Sequence, residues 1–447
     1  MRRATLHGFD TWDPRQYATG FSMQLVKVFT CGSIVFAALL LPQLWRGSVG
    51  APIAVVHAAD DEVRGLWVTR TSLTSPKSIE SVIDAAQAGG FNTLLVQVRG
   101  RGESYYQSAI EPRASELDGQ PADFDPLGVT LALARRAGLR VHAWVNVDLV
   151  SSASGLPRSR DHVVLRHPDW LMVPKPLAQQ LQALDVRSPA YVGELSRWTR
   201  GASSTVEGLY LSPITSEAQA YTVRVVEEIA ARYPIDGIHL DYARYPSVQF
   251  DYSARALAAF RASKVMQVSL TDRRRLDAAA AKDPAAWTNM FPEGWAAFRR
   301  DRLTALVQKL RVAVTTARPG VIVSAAVQPN PDVARAQLLQ DWSGWASAGL
   351  IDVICPMAYS TDPQEFSASI ARAKSGASGA PVWVGIGAWQ LTVTRAVEHV
   401  QLARRAGASG VLLFSYDALA AVSTRPPTYF AGLRPTLLGT TLGTTKD

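Results

Sequence analysis

In the stretch "DGIHLDYARYP" (Asp236–Pro246), two carboxylates, a histidine, an arginine and two tyrosines interrupt apolar residues that read as a buried strand. Side chains alternate along a strand. Ile238 and Leu240 fall on one face; Gly237, His239 and Asp241 fall on the other. Asp241 comes last, at the carboxyl end. An acid there, backed by His239 and followed by Arg244, has the setting of a nucleophile, a base or an electrostatic stabiliser. The bland alternative is an ion pair between Asp241 and Arg244. Asp236, at the opposite end beside Tyr233 and Pro234, reads as architecture.

The same sorting applies elsewhere. "FNTLLVQVR" sets Gln97 and Arg99 on one face, with Glu103 in the "RGRGESYY" turn beyond. "RVHAWVNV" groups His142, Trp144 and Asn146, with Asp148 just past its end. "ICPMAYS" pairs Met357 with Tyr359, and "PVWVGIGA" groups Trp383, Gly385 and Gly387 ahead of Trp389. Polar and aromatic groups thus gather near carboxyl ends, where a purely structural core would hold Val, Ile and Leu. The sequence has no P-loop, HExxH helix, Cys–His cluster or GxSxG elbow. Carboxylates and aromatics remain, a set suited to cleaving glycosidic bonds with one carboxyl as acid and one as nucleophile or base.

The elements that must position these groups are short apolar runs separated by amphipathic stretches from Glu62 onward. "VRGLWVTR" reads as a strand, and "SIESVIDAAQAGG" as a helix closed by glycines. Eight such runs, apolar on both faces, imply parallel strands covered by helices. Eight βα units over roughly 360 residues give a (β/α)8 TIM barrel, with a doubly wound sheet as the runner-up. Asp148–Leu184 and Ser247 to about Pro292 are too long for simple loops. They follow strands 3 and 4, so they wall a cleft at the catalytic end.

Residues 1–59 read as a targeting segment. "TCGSIVFAALLLP" (Thr30–Pro42) follows Lys27 and precedes the cleavage-like "VVHAAD", and Met23 is an alternative start. The barrel then occupies 60–425, and 426–447 reads as a low-complexity tail rich in Thr, Gly and Leu. The protein is expected in the periplasm or secreted, with membrane association only if the segment stays uncleaved. Net charge is +8, but the arginines are scattered and no nucleic-acid motif is present, so no nucleic-acid partner is expected. Cys31 and Cys355 are the two cysteines, and no disulfide is expected.

"RGLWVTR", "FNTLLVQVRGRGESYYQS", "HAWVNV", "HPDWLM", "DGIHLDYARYP" and "ICPMAYS" together resemble the glycosyl-hydrolase-like 10 family, from Glu62 to about Asp417. The resemblance implies an exported (β/α)8 hydrolase acting on glycans, some relatives being implicated in cleaving peptidoglycan strands stripped of peptides. It matches Asp236, Asp241, Arg244, Arg99, Gly102, Trp144, Asn146, Met357 and Tyr359. Relatives commonly have Asp where this chain has Glu103. "PMAYS" also looks like the Met-x-Tyr strand of chitinase-type barrels, yet "LDYAR" offers no Glu near Ala243 to serve as their acid does.

The expected enzyme is therefore a glycoside hydrolase acting on a cell-envelope polysaccharide without cofactor or metal. Asp241 is the candidate nucleophile or base and Glu103 the candidate acid, ahead of Asp148 and Asp417. Gln97, Arg99, Asn146, His239, Arg244 and Tyr359 would bind or orient the sugar. Trp144, Trp383 and Trp389 would form its platform. A glycan-binding barrel without catalysis is the rival reading.

Overall fold

Strands whose residues are apolar on both sides must be covered on both sides, and a barrel with an outer layer of helices does this. The computed structural model describes residues 61–420 and 426–439. The targeting segment expected at 1–59, with Met23 and Cys31, lies outside the described residues. Among the described residues, no helix is long and apolar enough to cross a membrane. The strands are β1 (Val63–Val68), β2 (Thr93–Arg99), β3 (Arg140–Asn146), β4 (Gly237–Asp241), β5 (Ile322–Val327), β6 (Val353–Pro356), β7 (Trp383–Gly387) and β8 (Gly410–Phe414). They run in the order β6-β5-β4-β3-β2-β1-β8-β7. Continuous parallel ladders join the neighbours in that order. Between β6 and β7 the contact thins to the bridges Ile354–Val382 and Met357–Gly385. The result is a nearly closed TIM barrel.

The outer layer includes α1 (Pro76–Gly89), α2 (Pro126–Arg136), α3 (Ser216–Arg232), α4 (Pro292–Ala317), α5 (Pro331–Gln337), α6 (Pro363–Gly376) and α7 (Val393–Arg405). Proline in the first turn and a capping side chain from the preceding Ser or Asp start several of them, as at Ser75–Pro76 and Asp125–Pro126. Alternation holds. Leu94, Val96, Ile238 and Leu240 pack against the helices. Trp67, Leu95, Trp144, Cys355, Leu412 and Phe414 fill the lumen. Gly237 is required there, because a Cβ at that position would lie 2.2 Å from the His142 ring.

Two excursions leave the carboxyl ends of β3 and β4, residues 147–215 and 242–291. The first runs beyond Leu184 because it contains a further helix, Pro189–Gly201. Each has its own apolar core. Trp170, Leu171, Tyr191 and Leu195 belong to the first; Phe260, Leu276 and Trp287 of the second pack with Trp295 of α4. These are packed walls around the mouth.

Part of the stretch read as a tail is structured: α8 (Pro426–Leu437) buries Tyr429, Phe430, Leu433 and Leu437. Their helical spacing was hidden among small residues. Phe430 meets Phe91 at 5.3 Å between ring centres. Arg404 pairs with Glu62 at 2.7 Å and donates to the carbonyls of Thr436 and Leu437. This buried knot ties α8 to both ends of the barrel chain.

Candidate active site at the barrel mouth

Asp241 ends β4 and stands opposite Asn146, the last residue of β3. An amide chain fixes this layer. Gln97 Nε2 donates to Asn146 Oδ1 at 3.3 Å, Trp144 Nε1 donates to the same oxygen at 3.0 Å, and Asn146 Nδ2 donates to Gly100 O at 2.7 Å. Arg70, just past β1, donates to Gln97 Oε1 at 3.1 Å. With its partners thus committed, each amide has one orientation.

Immediately after Asp241 the chain turns through Tyr242 at φ 51°, a left-handed conformation unusual for a bulky residue. The turn points the Tyr242 N–H at Asp241 Oδ1, 2.7 Å away. Arg244 lies over the Tyr242 ring at 4.9 Å and pairs with Glu207 at 2.8 Å. Tyr210 donates its hydroxyl to the other Glu207 oxygen at 2.6 Å. Burial pushes the Asp241 carboxyl up to about 6; Arg244 and the Tyr242 amide pull it down, Glu207 pushes it up and the Trp144 indole pulls it down. Glu207 carried no motif and lies beyond Leu184, outside the first excursion as the sequence bounds it. Glu207→Gln removes a negative charge near Asp241 and releases Arg244 from its partner. Both changes favour ionised Asp241, so the acidic limb of the pH–rate profile should move below about 6. An unmoved limb would show that the two carboxylates are not coupled.

Glu103 follows β2 in a turn pinned to the first wall. His162 Nδ1 accepts from the Val164 N–H, so Nε2 carries the proton and donates to Arg101 O at 2.8 Å. Gly102, at φ 72°, lies under this ring; a Cβ there would come within 2.9 Å of it. Glu103 is half-buried. Burial and then Glu116 push its carboxyl up to about 7, against the pull of Arg70 and Arg101. It therefore holds a proton near neutrality, as a general acid must. Arg70 touches the amide chain and also bears on Glu103, a double role that the run "VTR" did not announce.

Other expected sugar contacts are redistributed. Arg99 does not face the lumen. A register shift between Gln97 and Arg99 sets it opposite Val145, on the helix side, where it is fully buried against Glu111 at 2.8 Å. It is a brace. Trp383 shares a face with Gly385 and Gly387, but it opens β7, so it lies at the far end of the lumen against His142. His239 is fully buried, with Trp67 Nε1 at 3.2 Å on Nε2 and Ser324 Oγ at 3.0 Å on Nδ1. Burial holds it down to about 3, hence neutral. Trp144 packs on His239 beneath the mouth and supports Asn146 from below. Tyr359 and Trp389, by contrast, are half-exposed and meet edge to face at 5.1 Å.

Of the reserve acids, Asp417 is fully engaged, whereas Asp148 keeps one buried oxygen without a hydrogen-bond partner among the described residues. Asp148 is buried, takes the Arg244 backbone N–H and is pushed well above the carboxylate range by burial. Asp417 accepts from the Thr69 amide and from the Thr71 and Ser72 hydroxyls, clamping the segment after β1. Among the described residues, no three His, Cys, Asp or Glu side chains converge as a metal site.

Known proteins share this architecture. Residues 62–389 match the model of the family described as glycosyl hydrolase-like 10. The chain is 24% identical over 343 residues to the glycosyl hydrolase YngK of Bacillus subtilis, covering 70% of this chain and 56% of that protein. It therefore spans little more than half the length of that relative. It is 24% identical over 358 residues to the glycosyl hydrolase DigH of Escherichia coli, covering 72% of this chain and 70% of that one. Among solved structures, the glycoside hydrolase domain of PgaB from Bordetella bronchiseptica superposes with a TM-score of 0.56 at 16% identity, covering 86% of this chain and all of that domain. The catalytic domain of a Paenibacillus polymyxa β-amylase gives 0.54 at 13%, covering 85% and 99%. At those identities the structures speak for the fold alone. The family match spans most of the chain, and the chain belongs to the glycosyl hydrolase-like 10 family.

Proposed function

We propose that the protein is an exported glycoside hydrolase that cleaves a cell-envelope polysaccharide, with peptide-free peptidoglycan strands as substrate. The observation that carries the reading is a pair of carboxyls at one barrel end: Glu103, pushed up to about 7, and Asp241, pushed up to about 6. Glu103 donates its proton to the leaving glycosidic oxygen. Ionised Asp241 attacks the anomeric carbon or activates a water to do so. Asn146 and Gln97, each locked in orientation, present polar groups to the reacting sugar, while Tyr359 and Trp389 offer ring faces beside it. The apolar segment ahead of the barrel and the resemblance to hydrolases of denuded strands support export and the substrate class.

The test is product analysis. Peptide-free strands incubated with the protein should yield short fragments with new reducing ends, identified by mass spectrometry. Strands that are bound yet stay intact would support the rival reading, a glycan-binding barrel.

A further inference from the structure

Where the second excursion meets the first turns of α4 and α5, the surface folds into a groove of about 670 Å³. That volume is within the ~300–1,000 Å³ typical of ligand clefts. The excursion leaves the carboxyl end of β4, and α5 follows β5 directly, so the groove lies on the rim of the same barrel end as Asp241.

Its lining carries four cations, Lys175, Arg299, Arg300 and Arg335, against two acids, Glu293 and Asp332. Arg299 is committed to the floor. It stacks on Trp295 at 4.6 Å and donates to the carbonyls of Val248 and Phe250. Lys175 is held ready by Asn289 Oδ1 at 2.9 Å and by the Tyr252 ring at 5.5 Å. Among the described residues, Arg335 has one loose partner, Asp341 at 3.4 Å, in an exposed pair of little strength. Arg300 makes no ion pair among the described residues. Burial, and next to it Arg335, hold its guanidinium below the usual range. Two guanidiniums in one groove repel each other, and an anion between them turns that repulsion into two attractions.

We infer that this groove is an accessory subsite for a carboxylate-bearing sugar, which anchors an acidic glycan on the rim while the mouth handles a linkage farther along the strand. This rests on the glycan reading of the mouth. The planar fork of arginine matches a carboxylate edge.

The test is calorimetric titration of the full chain with an oligogalacturonate and with its neutral, carboxyl-reduced counterpart. The acidic probe should bind about tenfold more tightly, and Arg300→Gln/Arg335→Gln should abolish the difference. Lys175→Gln, on another element, should reduce it. Equal affinity for the two probes, or a preference that survives in both variants, overturns the inference. Cleavage of peptide-free strands is followed on the same samples. Acidic preference without cleavage refutes the hydrolase and leaves the groove standing. Cleavage without acidic preference refutes the groove and leaves the hydrolase standing.

Discussion

Asp241→Asn should lower kcat on glycan strands by about 10³- to 10⁴-fold while leaving strand binding and thermal stability unchanged. The substitution keeps the shape and one acceptor for the Tyr242 N–H, so the turn after β4 survives. It removes the negative charge on which either role depends. The wild-type profile should be a narrow bell. Below about 6, Asp241 takes up a proton and activity falls; above about 7, Glu103 loses its proton and activity falls. Glu103→Gln should remove the basic limb and reduce the rate across the range, most for poor leaving groups. An Asp241→Asn protein that still releases reducing ends at the wild-type rate would exclude Asp241 from the chemistry.

The second large effect concerns stability. Glu111→Ala should destabilise the fold by about 3–5 kcal/mol in denaturant titration, because it leaves the Arg99 guanidinium buried without its counter-charge. Arg99 Nε lies 2.9 and 3.0 Å from the two Glu111 oxygens, and both side chains are fully buried. Tyr221 adds its hydroxyl to Glu111 at 2.9 Å, tying α3 into the same cluster. The change should also reach the mouth, since Arg99 donates to the carbonyls of Asn146 and Val147 at the end of β3. A loss below about 1 kcal/mol would place the pair among ion pairs without structural weight.

The barrel was legible because strand alternation is local. Once Ile238 and Leu240 are assigned to the helix layer, Asp241 must face the lumen, and the register with Asn146 agrees. Arg99 was misplaced because a single register shift reverses which face a side chain takes, and no residue type in "VQVR" marks it. Trp383 was assigned to the right face but the wrong end, since face depends on parity and depth depends on where a strand starts. His239 looked functional because a polar group in a lumen resembles a site until its partners, Trp67 and Ser324, are seen. Glu207, Arg70 and Glu116 reach the site through turns and excursions. Their positions depend on tertiary packing that spacing does not encode.

The thin contact between β6 and β7 gives the barrel one joint that differs from its ladders. When a ring of hydrogen-bonded strands breathes, it parts where the fewest bonds must break, so amide protons at this joint should exchange with solvent before those of β2, β3 and β4. Tyr359 follows one side of the joint and Trp389 the other. The aromatic edge of the mouth therefore stands at the looser joint, while Asp241 and Asn146 sit on paired strands. The aromatic pair and the Asp241–Asn146 pair thus sit on opposite arcs of one ring, the first compliant and the second stiff.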